Sequence, residues 1–343
     1  AARDEQKLTK VSADAAYKAV RMQAEDRTPF GGVKYGVSLW EFEVWDGPQA
    51  NSEPSQPAAN TGLGLVPLPA ELKDNSASQD SFELSQDTKL VAPGDAKDAA
   101  ELFAAQARLS TGYPLPVVDS GEASGNITFK TGAVAGHSGT EAYALTSTKS
   151  GVTITANAAH GFFNATQTLR QLLPGFINSK YPVYAAWEVP AVEIKDSPRY
   201  SYRAIMLDPA RSFLTVDEVK HVLDQMASLK MSYLHFHLAD DQGWRIEITN
   251  EGRAEGDTID YTRLTGVSGR TAMNMHDKAK SNEVGRTGYY TQAQYKEIVA
   301  YAAARHITLV PEIDLPGHTN AALHAIPQLN TAGSSHQATT AEP

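Results

Sequence analysis

The stretch YRAIMLDPARSFLTVDEVKHVLDQMASLKMSYLHFHLAD, residues 202–240, decides the fold class. Its apolar start, Tyr202–Leu207, predicts a short strand. Thr215 can cap a helix that runs to about Lys230, because apolar residues recur there at helical spacing. A second apolar run, Tyr233–Leu238, predicts another strand. A strand, a helix and a strand in this order are typical of a parallel βαβ unit.

The same pattern continues further along the chain. Thr291 opens a predicted helix that runs through Arg305, and Ile307–Ile313 predicts a third strand. Eight-unit barrels carry their active sites at the carboxyl ends of such strands. An acid stands just past the end of each predicted strand: Asp208, Asp240 and Asp314.

The number of residues does not suffice for a whole barrel. A complete (β/α)8 barrel needs about 250 residues, whereas residues 197–343 can supply three or four units. Half a barrel would leave open sheet edges and an unfilled interior. We therefore predict an α/β fold that contains the N-terminal part of a TIM barrel, and we expect the remainder of the same barrel on a second chain or fragment.

Three regions precede this part of the chain. Residues 64–196 surround two helical patterns, Ala96–Gly112 and Ala158–Leu173, with short β-like runs, which predicts an α+β domain. The alternating run VSLWEFEVWDG predicts that residues 1–47 end in the last strand of a β-sandwich module. The Pro-, Ser- and Asn-rich residues 48–63 predict a linker.

Composition excludes several functional classes. The formal net charge of −10 argues against nucleic acid as a partner, because phosphate binding needs clustered Lys and Arg. No run of 18 apolar residues exists, so we predict no membrane span. The chain has no cysteine, which excludes disulfides, thiolate metal sites and a Cys nucleophile. We expect no cofactor.

The stretch HFHLADDQGWRIEI, residues 235–248, concentrates polar groups at the end of a strand. His235 and His237 share one face, so they could bind a metal, or they could lie in the barrel interior bonded to their neighbours. Asp240 and the Gln-Gly-Trp that follows favour a sugar ligand, since carboxylates accept hydrogen bonds from hydroxyls and a Trp face stacks on a sugar ring. The alternatives are a solvated strand end for Asp240 and a core position for Trp244.

The stretch PEIDLPGHTNAAL, residues 311–323, places a histidine beside acids. Glu312 and Asp314 share a face, and His318 follows four residues after Asp314. An Asp can fix the tautomer of a His, whose other nitrogen then orients or tunes an acid. The alternative is a helix cap, because Thr319 could begin a helix.

Arg211 follows the first strand of the series. A guanidinium at a barrel mouth can donate two hydrogen bonds to adjacent hydroxyls or to a carboxylate. An ion pair with Asp208 explains the same spacing equally well.

Taken in order, these motifs resemble one known family. The stretches RAIMLDPARSF, HFHLADDQGWRIEI and GYYTQAQYKEIVAYAAARHITLVPEIDLPGHTNAAL resemble the catalytic domain of family 20 glycoside hydrolases, the β-N-acetylhexosaminidases. Residues 64–196 resemble the α+β domain that precedes that barrel. Residues 35–46, YGVSLWEFEVWD, resemble the end of a discoidin-like carbohydrate-binding module.

The resemblance implies a reaction and roles for five residues. The substrate's own 2-acetamido oxygen attacks the anomeric carbon, which is an exception to the usual two-carboxylate scheme. Arg211 would bind the outer hydroxyls of the terminal sugar. Asp240 and His318 would position and tune the general acid, and Asp314 and Glu312 would support the same mouth and contribute to substrate binding.

The resemblance also implies what lies outside the chain. The family's catalytic Asp-Glu pair belongs to a later GGDE-type motif, which these 343 residues do not contain. The implied substrate is a glycan with terminal β-linked GlcNAc or GalNAc, or one from which a disaccharide is released as by a lacto-N-biosidase. We expect a secreted or cell-surface bacterial protein. Two alternatives remain: a metal-dependent TIM-barrel hydrolase that uses His235 and His237, and a non-catalytic glycan-binding protein.

Overall fold

A computed structural model describes residues 62–78, 80–272 and 285–331. The predicted module end at 1–47 and nearly all of the predicted linker lie outside the described residues. Within the described part, no helix is both long and apolar enough to cross a membrane.

The first half of the described chain is built on a seven-stranded mixed sheet with the order β1-β9-β6-β7-β5-β3-β4. Two further strands, β2 and β8, pair separately. The strands are β1 Glu71–Asp74, β2 Phe82–Glu83, β3 Leu90–Val91, β4 Val117–Val118, β5 Ile127–Thr131, β6 Tyr143–Thr148, β7 Gly151–Ala156, β8 Glu188–Val189 and β9 Val192–Asp196.

Two helices pack against this sheet and against each other, as the sequence patterns predict. Helix α1, Lys97–Thr111, buries an Ala-rich face that includes Phe103. It ends at Gly112, whose φ of 69° places it in the left-handed region where glycine carries no steric penalty. Helix α2, Ala159–Leu172, packs on β6 and β7. The predicted mixture of helices and short strands is therefore confirmed.

Three parallel strands follow in the second half. Strand β11, Tyr233–Asp240, lies between β10, Ala204–Leu207, and β13, Thr308–Ile313. Helix α3, Val216–Ser228, connects β10 to β11, and helix α5, Gln292–Ala303, precedes β13. All three predicted strands and both predicted helices are present.

Both helices begin at the predicted caps. The hydroxyl of Thr215 accepts a hydrogen bond from the backbone N–H of Glu218, whose carboxylate accepts one from the N–H of Thr215. Thr291 and Gln294 form the same reciprocal arrangement. Each capping box satisfies two N–H groups that the helix itself leaves unpaired.

Of three short elements, β12 and α4 have no counterpart in the sequence prediction, whereas α6 begins where Thr319 was expected as a possible helix start. Strand β12, Gly243–Trp244, turns back and pairs antiparallel with the end of β11. Helices α4, Arg263–Ser268, and α6, Asn320–Ala325, contact each other and β12. Leu264, with Ala325 and Ile326, forms a second, small apolar cluster there, against which Trp244 packs. These elements are too short to show a hydrophobic period, so they depend on this packing.

A buried ion pair joins the α+β domain to the parallel strands. Lys230, which is 5% exposed, lies just after α3, and its Nζ is 3.0 Å from Oδ2 of Asp196 at the end of β9. The same Nζ donates to the hydroxyl of Tyr143 over 2.8 Å, and that hydroxyl donates to Asp196 over 3.0 Å. Burial lowers the pKa of Lys230, although the charge of Asp196 acts in the opposite direction. The charges of Lys230 and Asp196 therefore compensate each other only while the α+β domain and the parallel strands stay packed together.

We expect Lys230→Met to reduce the free energy of unfolding by about 3–5 kcal/mol, because it leaves the carboxylate of Asp196 buried without its cation. Urea denaturation followed by circular dichroism measures the change. The control is Lys73→Met, which removes an exposed pair with Glu193 and should cost at most about 1 kcal/mol. Equal losses in the two variants would show that the buried pair does not link the two parts.

Candidate active site

The carboxyl ends of β10, β11 and β13 converge, and the predicted acids lie there. Asp208 follows β10, Asp240 ends β11 and Asp314 follows β13. Because the three strands are parallel and adjacent, their ends meet at one edge.

Arg211 is held between two of these carboxylates. Its Nη1 is 2.5 Å from Oδ2 of Asp208, and its backbone N–H donates to Oδ1 of the same residue over 3.0 Å. Its Nη2 lies 2.7 Å from Oδ2 of Asp240. The ion pair with Asp208 thus forms, yet 36% of the Arg211 side chain remains exposed at the mouth. The guanidinium is therefore held by two carboxylates and is still accessible, so its remaining N–H groups can donate to a ligand.

Asp240 is the most enclosed acid of the group, with 1% of its surface exposed. Besides Arg211, it accepts hydrogen bonds from Nε2 of His237 over 2.9 Å and from the N–H of Asp241 over 2.5 Å. Burial alone would raise the pKa of Asp240, but the bond from His237, the Asp241 N–H and the charge of Arg211 lower it. Asp240 is therefore an ionised carboxylate and not a solvated strand end.

His318 lies at the same mouth and bonds to Asp314, the acid four residues before it in the sequence. Its Nδ1 is 2.7 Å from Oδ2 of Asp314 and 3.7 Å from Oδ2 of Asp240. The hydrogen bond with Asp314 is the main cause that raises the pKa of His318. The residue has a φ of 51°, a left-handed conformation that is uncommon outside glycine. It immediately precedes Thr319 and α6, whose cap lacks a side-chain hydrogen bond.

The two histidines of β11 face Glu312 of the neighbouring strand. Nε2 of His235 bonds to Oε2 of Glu312, and Nδ1 of His237 lies 3.1 Å from the same oxygen. Nε2 of His237 is already engaged with Asp240. A ring nitrogen that carries a proton cannot also bind a metal, so this arrangement favours the interior, bonded interpretation of both histidines.

Asp240, Asp314 and His318 offer ligand atoms within 4.8 Å of one another. Their contacts already account for this clustering, because Nδ1 of His318 bonds to Asp314 while Asp240 bonds to Arg211 and His237. We therefore assign no metal to these three residues.

Sequence reasoning missed the residue that organises the surrounding loops. Arg245 is fully buried, and its guanidinium donates to backbone carbonyls from three separate loops. The acceptors are the carbonyl oxygens of Pro209, Ala210, Gln242, Gly269, Thr271 and Gly288. Burial lowers the pKa of Arg245 to about 10. Carbonyl dipoles thus solvate the buried charge, and the nearby carboxylate of Asp208 acts against the lowering of the pKa.

A neighbouring glycine makes the buried position of the Arg245 guanidinium possible. A Cβ atom on Gly243 would overlap with the guanidinium of Arg245, so only glycine allows the close approach. On the other side of the mouth, Oδ1 of Asp241 accepts the N–H of Asn320 over 3.0 Å and ties the start of α6 to the end of β11. Trp244 is partly buried and donates its indole N–H to the carbonyl of Ile246 over 2.8 Å.

Comparison with known proteins finds two regions of this chain that are similar to glycosyl hydrolases of family 20. The profile of the "Glycosyl hydrolase family 20, catalytic domain" matches residues 200–342, and that of "Glycosyl hydrolase family 20, domain 2" matches residues 62–197. A β-hexosaminidase of Porphyromonas gingivalis is 40% identical over 274 residues, which are 80% of this chain and 33% of that protein. A β-N-acetylhexosaminidase of Cellulomonas fimi is 38% identical over 57% of this chain and 34% of that protein.

Solved structures agree with these matches. A mutant Streptomyces plicatus β-hexosaminidase in complex with its product GlcNAc is 39% identical, with a TM-score of 0.70 over 80% of this chain and 50% of that chain. A family 20 β-N-acetylhexosaminidase of Streptomyces coelicolor gives 38% and 0.69 over 80% and 51%.

The fold and the two matched regions therefore show a chain of the glycoside hydrolase class. It belongs to glycosyl hydrolase family 20. The chain spans about a third of the length of the curated relatives it matches.

We expect Arg245→Met to reduce the free energy of unfolding by at least about 3 kcal/mol, because several buried carbonyls lose their donor at once. Chemical denaturation provides the measurement. Arg253→Met is the matched control: Arg253 is exposed and donates to one carbonyl, that of Ile259, over 2.7 Å. If both variants lose less than about 1 kcal/mol, the guanidinium of Arg245 is not what holds the loops.

Proposed function

We propose that the protein to which this chain belongs is a β-N-acetylhexosaminidase that removes terminal β-linked GlcNAc or GalNAc from glycans by a substrate-assisted, retaining mechanism. The observation that carries the proposal is the pairing of Arg211 with the buried carboxylate of Asp240, at a strand end within the region that matches the family's catalytic domain. The names of the relatives support the same activity.

In this proposal β10, β11 and β13 are the first three strands of a TIM barrel. The remainder of the enzyme would complete the barrel and supply the general acid Glu and the Asp that orients the acetamido group. The proposal further includes a discoidin-like module that precedes the α+β domain, release of a disaccharide as an alternative product, and a secreted or cell-surface location in a bacterium.

Arg211 is proposed to bind the outer hydroxyls of the terminal sugar. Asp208 and Asp240 hold the guanidinium from one side, at 2.5 and 2.7 Å, and so fix the direction of its free N–H groups. A guanidinium that is already oriented loses little rotamer freedom when a sugar binds.

Asp240, His318 and Asp314 are proposed to support the general acid. Asp314 bonds to Nδ1 of His318, which leaves Nε2 of that ring for an acid on a neighbouring strand. The nearby charge of Asp240, 3.7 Å from Nδ1, favours a protonated His318. Such a ring stabilises the carboxylate that remains after the acid has protonated the leaving oxygen.

Glu312 is proposed to act on substrate binding through its neighbours. Its Oε2 is engaged by His235 and His237. The carboxylate therefore shapes the floor of the mouth, and the 31% of its side chain that stays exposed can still meet a ligand.

The substrate-assisted scheme needs no nucleophile from the protein, because the 2-acetamido oxygen attacks the anomeric carbon and water later opens the oxazoline. The residues of this chain then have three tasks: to bind the sugar, to orient the network and to hold a proton. Of the two alternatives, a metal-dependent hydrolase is disfavoured by the contacts of His235 and His237 with Glu312 and Asp240. A non-catalytic glycan-binding protein remains the alternative outcome of the assay.

We expect the intact protein to release p-nitrophenol from a GlcNAc glycoside and to be inhibited by a thiazoline mimic of the oxazoline. Absence of activity on every 2-acetamido glycoside, with binding of the sugar retained, would favour the glycan-binding alternative.

We further expect Asp240→Asn to lower kcat about tenfold to hundredfold and to raise KM less, because it alters the tuning of the acid while Asp208 still holds Arg211. Steady-state kinetics on the same glycoside tests this. Asp217→Asn, on the exposed first turn of α3, is the control and should leave both constants unchanged. An unaltered kcat in Asp240→Asn would refute the assigned role.

A further inference from the structure

His237 is a buried histidine whose two ring nitrogens face carboxylates from different strands. It is 3% exposed on β11. Its Nε2 is 2.9 Å from Oδ2 of Asp240, and its Nδ1 is 3.1 Å from Oε2 of Glu312, the residue directly across on β13. The Nδ1 contact is an ion-pair distance without the alignment of a regular hydrogen bond.

An irregularity in the sheet brings the two acids to the same ring. In a regular strand, residues three apart point to opposite faces, so the side chains of His237 and Asp240 would not meet. The register between β11 and β13 shifts between His237 and Ala239. Bulges of this kind redirect side chains and occur at barrel rims and beside active sites.

The protonation state follows from these contacts. A neutral imidazole has one N–H and one lone pair. If Nε2 donates to Asp240, a neutral ring would direct its Nδ1 lone pair at the carboxylate of Glu312. A ring protonated on both nitrogens removes this repulsion. The competing solution places the proton on Glu312, which would then donate to the ring.

The charges around the ring favour the cation. Burial opposes the charge, but the bonds with Asp240 and Glu312 raise the pKa of His237 to about 9. Asp208, on the loop after β10, acts in the same direction. The other charged or titratable groups contact these acids rather than the ring. They are Arg211 and His318 on Asp240, and His235 on Glu312.

We propose that His237 is a positioning residue, an imidazolium that ties Asp240 to Glu312 across β11 and β13 and so directs the Asp240 carboxylate at Arg211. The proposal rests on the hexosaminidase activity proposed above and adds a residue to it.

The sign of the pH effect follows. A pKa that is raised on folding means that the folded state holds the proton more tightly than the unfolded chain, in which it leaves near pH 6.5. The stabilisation is complete below that pH and is lost as the pH rises through about 9. The pairing of Asp240 with Arg211 should weaken over the same upper range.

The first test reads the proton directly and needs no activity. Imidazole nitrogens are recorded by NMR in the intact protein labelled with 15N-histidine, from pH 6 to 10. We expect one histidine to keep both N–H groups at pH 8, to be absent from the spectrum of His237→Gln and to titrate at lower pH in Glu312→Gln. A His237 ring that is neutral at pH 8 would overturn the proposal in favour of a proton on Glu312.

The second test asks whether the ring positions the site. The intact protein should show an alkaline decline of kcat/KM near the pH at which His237 titrates. In His237→Gln this decline should move or vanish, since an amide does not titrate, and kcat should fall at least about tenfold through loss of alignment. His221→Gln, at an exposed position on α3, should match the wild type.

The outcomes separate the two proposals. If the NMR result holds but the pH profile and kcat of a folded His237→Gln variant equal those of the wild type, the positioning role is wrong while the hexosaminidase activity stands. If the wild type cleaves no 2-acetamido glycoside, the proposed function fails, and with it the role of His237 in that reaction. Should His237→Gln not fold, Glu312→Gln removes one of the two contacts and must move the alkaline decline to lower pH, because His237 then loses its proton more readily.

Discussion

Asp240 keeps a negative charge at a place where water reaches almost none of its surface, and this requirement shapes the whole mouth. A buried carboxylate is tolerated only when donors and cations surround it. Here the donors come from three directions: Arg211 from the loop after β10, His237 from the same strand, and the backbone of Asp241. Arg211 and His237 are each fixed in turn by a further carboxylate, so the position of Asp240 is tied to the orientation of one guanidinium and one histidine.

The parts that sequence could predict are those governed by local rules. Hydrophobic periodicity and capping residues act over a few positions in the sequence. They predict the helices that begin at Thr215 and Thr291 and the apolar strands beside them. The candidate residues also appeared together, because carboxyl ends of adjacent parallel strands must meet. The bond between His318 and Asp314 agrees with their spacing of four residues. The link between His318 and Asp240 that the resemblance implied is longer, with 3.7 Å between Nδ1 and the carboxylate.

Arg245 shows a second limit of sequence reasoning. In the sequence, Arg245 stands close to Asp240 and Asp241 and gave no sign of a special role, since an arginine at a strand end is ordinarily solvated. In the structure Arg245 is completely buried among backbone carbonyl oxygens. Every residue has such an oxygen, so the sequence of the loops does not show which carbonyls accept a hydrogen bond. The one local signal was Gly243, where a side chain would have no room. Similarly, the sequence suggests that Lys230 is a surface residue at a helix end, whereas in the structure it is buried between the α+β domain and the parallel strands.

The way in which Arg245 holds the loops has an evolutionary consequence. Every acceptor it uses belongs to the main chain, so the side chains of Pro209, Gln242 and Thr271 can be replaced without removing an anchor point. The rim of the mouth can thus change its chemical character while the loops keep their path. One buried cation would then keep the shape of the rim constant while the side chains that determine its specificity change.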